Sequence, residues 1–168
     1  MPLLEGFVMS AFASGRDLIE IAIEAEKRGV AFYGCLAEKL PSAKARDLFA
    51  RIGQEEKEHL RELRGLLGEA DRYHPAERYP DEYYGYLRAL LGDWAFPDEE
   101  TCVQMASDME DEAQACPVAS TFEKQVILLL HEMRRFVPED RHATVQKLLE
   151  GEYDHVRRLH ALEQSQEV

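Results

Sequence analysis

Apolar residues recur every three or four positions in four long stretches of this sequence, and each stripe is interrupted by a glutamate. Steps of three and four place side chains on one side of an α-helix, so each stretch reads as an amphipathic helix whose core face carries an acid. One stripe runs Ala45, Leu48, Phe49, Ile52, then Glu56 and His59, then Leu63; another runs Val145, Leu148, Leu149, then Glu152 and His155, then Leu159 and Leu162. The remaining two carry one glutamate each: Ile19, Ala22, Ile23, Glu26, Val30, Tyr33, Ala37, Leu40, and Phe122, Glu123, Ile127, Leu130, Val137. Almost nothing reads as a strand, which predicts an all-α chain.

The first helix is expected from about Arg16 to Leu40, with Ser14 as N-cap and Pro41 as stop; the second begins after Ser42 and fades at Gly65 and Gly68. The third is expected to begin near Pro117, a favourable first-turn residue, and to end before Pro138; the fourth covers roughly Glu139 to Gln164. Short turns within each pair make the partners antiparallel. The connection between the pairs is too long for a bare loop. Within it Asp81 to Leu91 and Asp98 to Met109 read as short helices, and Tyr73, Tyr79, Tyr83, Tyr84, Tyr86 and Trp94 give apolar surface to bury. Such a crossover lets the second and third helices run parallel in a four-helix bundle. Residues 1–168 thus form one domain: a hairpin over about 16–67, a crossover over about 68–116 and a second hairpin over about 117–164.

The halves resemble each other. Glu26-Lys27 is followed by Pro41 fifteen positions after the glutamate, and Glu123-Lys124 by Pro138 at the same interval. "EEKEHLREL" at 55–63 corresponds to "GEYDHVRRL" at 151–159. A duplicated hairpin implies a pseudo-twofold axis, where whatever both halves place on it must meet.

Composition narrows the class. The 168 residues, 45% hydrophobic and 32% charged, suit a globular domain. A net charge of −13 argues against nucleic acid or an anionic membrane as partner. No apolar run approaches a membrane span. The stretch "MPLLEGFVMSAFASGRD" lacks a basic n-region and carries Glu5, so no signal peptide is read. Cys35, Cys102 and Cys116 form no CxxC pair, which indicates neither a zinc ribbon nor a disulfide framework. A cytoplasmic protein is expected.

Four carboxylates aimed at one core cannot stay ionised unaided, because each unpaired buried charge costs several kcal/mol. Two divalent cations would balance them, and neutral imidazoles from His59 and His155 complete a mixed oxygen and nitrogen set that suits iron, with manganese or a mixed pair as alternatives. One glutamate from each of two helices and Glu-x-x-His from each of the other two is the ligand rule of dinuclear carboxylate bundles.

Blander readings exist. A single Glu-x-x-His usually lies on a surface, and "STFE" reads as a capping box with Ser120 as cap and Glu123 at its third position. Matched spacings of thirty (26 to 56) and twenty-nine (123 to 152) favour the site. Glu20, Glu24, Lys27 and Arg28 sit on the opposite face, with Glu24 and Arg28 as a candidate exposed pair. Cys116, before Pro117 near the expected helix start, is either a thiol of lowered pKa or a plain loop cysteine. Cys35 reads as a packed or surface thiol. His74, His142 and His160 read as surface, and His131 as near the site or turned to a neighbouring helix.

In "EAEKRGVAFY" and "QEEKEHLREL", and more loosely in "FEKQVILLLHEM" and "LEGEYDHVRRL", the sequence resembles the rubrerythrin-like branch of the ferritin-like superfamily. The resemblance covers essentially the whole chain, aromatic crossover included. It implies a ferritin-like four-helix bundle with Glu26, Glu56, His59, Glu123, Glu152 and His155 as metal ligands and Tyr33 beside one metal. Full rubrerythrins carry a C-terminal rubredoxin with four cysteines; the sequence to Val168 has none, so an external electron donor is expected. Peroxide-reducing members carry a further carboxylate one turn after the third-helix ligand, where Val126 stands here. The third-helix counterpart of Tyr33 is Leu130, with His131 beside it. The expectation is a di-iron oxidoreductase acting on peroxide or dioxygen, as a ferroxidase or peroxide scavenger in oxidative stress. The alternative is a non-catalytic protein that binds, buffers or senses iron. A third reading has the acids and histidines pairing with one another without metal. The family also implies a homo-oligomer, with a dimer expected and the tyrosine-rich crossover as a candidate surface.

Overall fold

A computed structural model describes residues 15–70, 81–92 and 97–165. Among them are helices α1 (Gly15–Lys39), α2 (Ala43–Glu69), α3 (Asp81–Gly92), α4 (Glu99–Asp108), α5 (Glu112–Met133) and α6 (His142–Gln164), and no strand. The expected fourth helix opens as a 3₁₀ turn, Glu139–Arg141, before α6 proper. Ser14, Tyr73, His74, Tyr79 and Trp94 lie outside the described residues, as does the Tyr84 side chain.

The turn between α1 and α2 is closed from both sides. Ser42 Oγ accepts from the Ala45 N–H at 3.2 Å, capping α2. Arg46 Nη1 donates to the carbonyls of Leu40 and Pro41 at 2.6 and 2.8 Å, which covers acceptors left over at the end of α1. On the exposed face of α1, Glu24 pairs with Lys27 at 2.5 Å.

Helix α5 starts five residues before the expected Pro117, at Glu112. Asp111 caps it by accepting from the Gln114 N–H at 3.0 Å, and Glu112 adds negative charge to the first turn. Pro117 then lies inside the helix, where its missing N–H leaves a single carbonyl, that of Ala113, without its usual donor. Ser120 is therefore no cap, and the capping-box reading of Glu123 falls. Cys116 is likewise a buried helical residue, and burial pushes its thiol up to about 12 rather than down.

Long-range contacts fix the directions. Gly15, opening α1, lies so close to Phe136, beyond the end of α5, that a Cβ would come 2.7 Å from the Phe136 Cβ. At the two ends of α2, Lys44 donates to Ser165 Oγ at 2.9 Å and Glu69 pairs with Arg141 at 2.5 Å. Helix α1 is thus antiparallel to α5, and α2 to α6, so α2 and α5 run parallel as the long crossover requires. Among the described residues the crossover is pinned both to α1 and near the end of α5. Lys39 of α1 donates to the Ser107 carbonyl of α4. Tyr83 of α3 donates to Glu132 near the end of α5 and stacks on Phe136 with ring centroids 6.1 Å apart.

The core joins all four long helices. Phe32 of α1 meets Phe122 of α5 edge-on at 5.0 Å, and Tyr33 stacks on Phe49 of α2 at 6.0 Å. Such aromatic pairs add about 0.5–1.5 kcal/mol beyond the area they bury. Among the described residues no helix is long and apolar enough to cross a membrane.

Candidate metal centre

The four interrupted stripes converge. Glu26, Glu56, Glu123, Glu152 and His155 are all buried, and the His59 side chain is 12% exposed. Three-residue spacing puts each histidine one turn above its glutamate, with Nδ1 of His59 3.2 Å from Glu56 Oε2 and Nδ1 of His155 3.2 Å from Glu152 Oε2. Each also reaches across to the other helix: His59 Nδ1 lies 2.7 Å from Glu152 Oε1, and His155 Nδ1 lies 3.0 Å from Glu56 Oε1. The single glutamates stand further out, Glu26 Oε2 3.8 Å from His59 Nδ1 and Glu123 Oε1 3.7 Å from His155 Nδ1. The cluster therefore divides into a His59–Glu26 half and a His155–Glu123 half that share Glu56 and Glu152.

A metal fits this donor set. One ligand atom from each of Glu56, His59, Glu152 and His155 lies within 4.8 Å of all the others. Glu26 Oε1, Glu56 Oε1 and Glu152 Oε1 are buried without a hydrogen-bond partner. The latter two lie within ion-pair distance of an imidazole Nδ1, Glu152 Oε1 beside His59 and Glu56 Oε1 beside His155. Donors held at right angles around one ion by bonds of about 2.1 Å stand roughly 3.0 Å apart. The 2.7–3.2 Å separations around the two Nδ1 atoms accommodate that spacing, and are equally those of the hydrogen bonds and ion pairs the groups make with one another.

The electrostatics split the six groups. Burial first, then the charges of Glu56 and Glu152, hold Glu26 and Glu123 well above the usual carboxylate range. Burial pushes Glu56 up as well, but hydrogen bonding from Glu26 and the two imidazoles outweighs it and keeps it low. Glu152 is raised by burial and by Glu56, yet the two histidines leave it below its ordinary value. For His59, burial alone would lower the pKa; contact with Glu152 and Glu56 overrides it and raises the ring to about 10. His155 is raised beyond the imidazole range in the same way, burial being outweighed by Glu123, Glu152 and Glu56. Tyr33 donates its hydroxyl to Glu123 Oε1, and burial, followed by the Glu123 charge, holds that proton in place.

Four residues around the cluster escaped the sequence. Glu55 Oε2 lies 3.0 Å from His155 Nε2, and Arg158 grips both Glu55 and Asp154, the latter at 2.8 Å. Gly151 leaves room for His59, since a Cβ there would lie 2.5 Å from Nε2. A glycine inside the helical pattern "GEYDH" was the available signal. His131 turns away from the cluster, its Nε2 2.9 Å from the Tyr153 hydroxyl on the exposed side of α5 and α6. His142, expected at the surface, is half-buried with Nε2 3.1 Å from the Val137 carbonyl, where it ties down the turn before α6.

Two antiparallel hairpins joined by a crossover, with four glutamates and two histidines on the inner faces, define a ferritin-like carboxylate bundle with a possible dinuclear metal site. The rubrerythrin family model matches residues 17–163, and the chain belongs to the rubrerythrin family, a di-iron carboxylate type. No curated protein and no solved structure matches it.

Proposed function

We propose that Glu26, Glu56, His59, Glu123, Glu152 and His155 hold two metal ions, iron in the first place and manganese or a mixed pair otherwise. The loaded protein is then a cytoplasmic oxidoreductase that takes electrons from an external donor and passes them to peroxide or dioxygen, as a ferroxidase or peroxide scavenger. The observation that carries this reading is the convergence of buried acids and imidazoles from the inner faces of the bundle, with one ligand atom from each of Glu56, His59, Glu152 and His155 within 4.8 Å of all the others. Buried polar atoms are almost always satisfied, and four buried carboxyls hold more acceptors than two imidazoles can serve, Glu26 Oε1 being left without a hydrogen-bond partner.

Bound iron would supply two electrons and Lewis acidity. The protein's own groups supply the rest. Peroxide reduction consumes two protons per two electrons and yields two waters, and the Tyr33 hydroxyl on Glu123 keeps one proton at the edge of the cluster. Phe32, Phe49 and Phe122, all buried, exclude water from the side of the site that Tyr33 faces.

The test begins with metal per chain in protein purified without added metal, beside Glu56→Ala and Glu152→Ala. About two ions per chain, lost in both variants, supports the site, and no uptake from anaerobic ferrous solution refutes it. Peroxide consumption by the iron-loaded protein with a reductant then tests turnover, and ferrous oxidation no faster than that of free ion counts against the enzyme. A second reading, an iron buffer or sensor, is favoured by Val126, which is buried at 3% exposure where peroxide-reducing members carry a carboxylate. Metal-dependent assembly, a homodimer included, without turnover would select it.

A further inference from the structure

The pseudo-twofold axis that exchanges Glu56 with Glu152 and His59 with His155 also pairs Glu55 with Gly151 and Tyr33 with Leu130. Both of these outer pairs are unequal, and both inequalities favour the same half. Behind His155, Glu55 Oε2 sits 3.0 Å from Nε2 and is itself held by Arg158. The other ligand candidate of that half, Glu123, receives the Tyr33 hydroxyl. Behind His59 there is no side chain at position 151, and Glu26 Oε1 has no hydrogen-bond partner. Leu130, where a second tyrosine would stand, has no hydroxyl to offer.

The open half faces solvent. Both imidazoles line a cleft of about 200 Å³ between α2 and α6, but His155 is 1% exposed, whereas the His59 side chain is 12% exposed. Glu55, Glu58, Glu62 and Asp154 line this cleft against Lys147 and Arg158, so acids outnumber bases four to two. An acid-lined cleft concentrates cations. A ligating histidine whose outer nitrogen is held by a carboxylate is better oriented and more basic, and losing such a partner typically costs about 10–100-fold in metal affinity.

We propose that the two halves hold metal unequally. The His155–Glu123 half, with Glu55 as positioning residue, is retentive; the His59–Glu26 half is exchangeable, and divalent cations reach it through the cleft at Gly151. This rests on reading the cluster as a dinuclear site.

Cobalt(II) is the probe. Metal-free protein is loaded anaerobically and chased with a chelator, following the d–d absorption and the metal left per chain. Two ions are expected, one leaving at least about tenfold faster than the other. Glu55→Ala should speed loss of the slow ion by about 10–100-fold without changing the fast one, while Glu55→Gln, which keeps an oxygen toward Nε2, restores retention. Gly151→Ala should slow loading of the fast ion, and unchanged loading would overturn the route through the cleft. Two ions leaving at one rate, or Glu55→Ala accelerating both alike, would overturn the inequality while leaving the dinuclear site intact. Uptake of fewer than two ions overturns the dinuclear reading, and this inference falls with it.

Discussion

Loading the site is expected to release about four protons per pair of divalent ions near neutral pH. In the metal-free cluster the raised Glu26 and Glu123, the lowered Glu56 and Glu152 and the raised imidazoles favour two neutral carboxyls, two carboxylates and two imidazolium ions, with His59 raised to about 10. Two carboxylates and two imidazolium ions sum to zero. Two divalent cations bring four positive charges into the same buried volume, and neutrality returns only when two carboxyl and two imidazole protons leave. By linkage, four protons released raise the association constant for the pair about ten-thousandfold per pH unit, or about 5 kcal/mol. The slope should fall as pH nears about 10, where His59 gives up its proton without metal. The assay is calorimetric titration of metal-free protein with manganese(II) between about pH 6.5 and 7.5, in buffers of different ionisation enthalpy. Release of fewer than two protons per pair would refute the reasoning, because the cluster would then be largely ionised before metal arrives.

Three further perturbations follow. In the metal-free protein His59 is raised from 6.5 to about 10, so its stabilising contribution is complete below about 6.5 and lost as pH rises through about 10. The raised Glu26 and Glu123 act in the same alkaline direction, so urea midpoints should decline from neutral to alkaline pH; a flat profile contradicts the assigned charge states. Tyr33→Phe leaves Glu123 Oε1 without its donor and should lower unfolding free energy by about 1–3 kcal/mol in denaturant titrations; a change near zero would mean that the bond contributes nothing. Asp111→Ala should cost about 1 kcal/mol as a lost cap, whereas Ser120→Ala should change stability by less than about 0.5 kcal/mol. The reverse order in thermal melts would move the start of α5 back toward Pro117.

The four stripes were legible because burial acts on the helical period directly. A glutamate among Leu48, Phe49, Ile52 and Leu63 has no surface to face, and the matched spacing in the other half ties the two together. The start of α5 was not legible, because proline fits a first turn and also survives further in, where it removes one backbone donor. The capping Asp111 was hidden in the acidic run "DMEDEAQ", in which any of several residues would serve. Glu55 escaped for a different reason. Position 55 falls at the margin of the α2 core face, and its meaning comes from His155, a hundred residues away, at a distance only the assembled bundle fixes. His131 was undecided on its own helix for the same reason, since Tyr153 on α6 supplies the contact that turns it outward.

Duplication explains both what repeats here and what does not. Two copies of a hairpin present equal backbone geometry to the axis, so residues on the axis inherit the symmetry: Glu56 and Glu152 each touch both imidazoles, at distances from 2.7 to 3.2 Å. A pair of identical half-sites would bind two ions with similar strength, and any division of labour between them must be written one layer out, where a substitution leaves the donor set intact. The departures at 55 against 151 and at 33 against 130 fall in that layer. They also act through different chemistry, a carboxylate fixing an imidazole in one case and a phenol holding a carboxyl in the other. Both differences lie on the same half, that of His155 and Glu123. The two halves are therefore unequal outside the donor set: Glu55 and Tyr33 hold the His155–Glu123 half, and His59 is the more exposed of the two imidazoles.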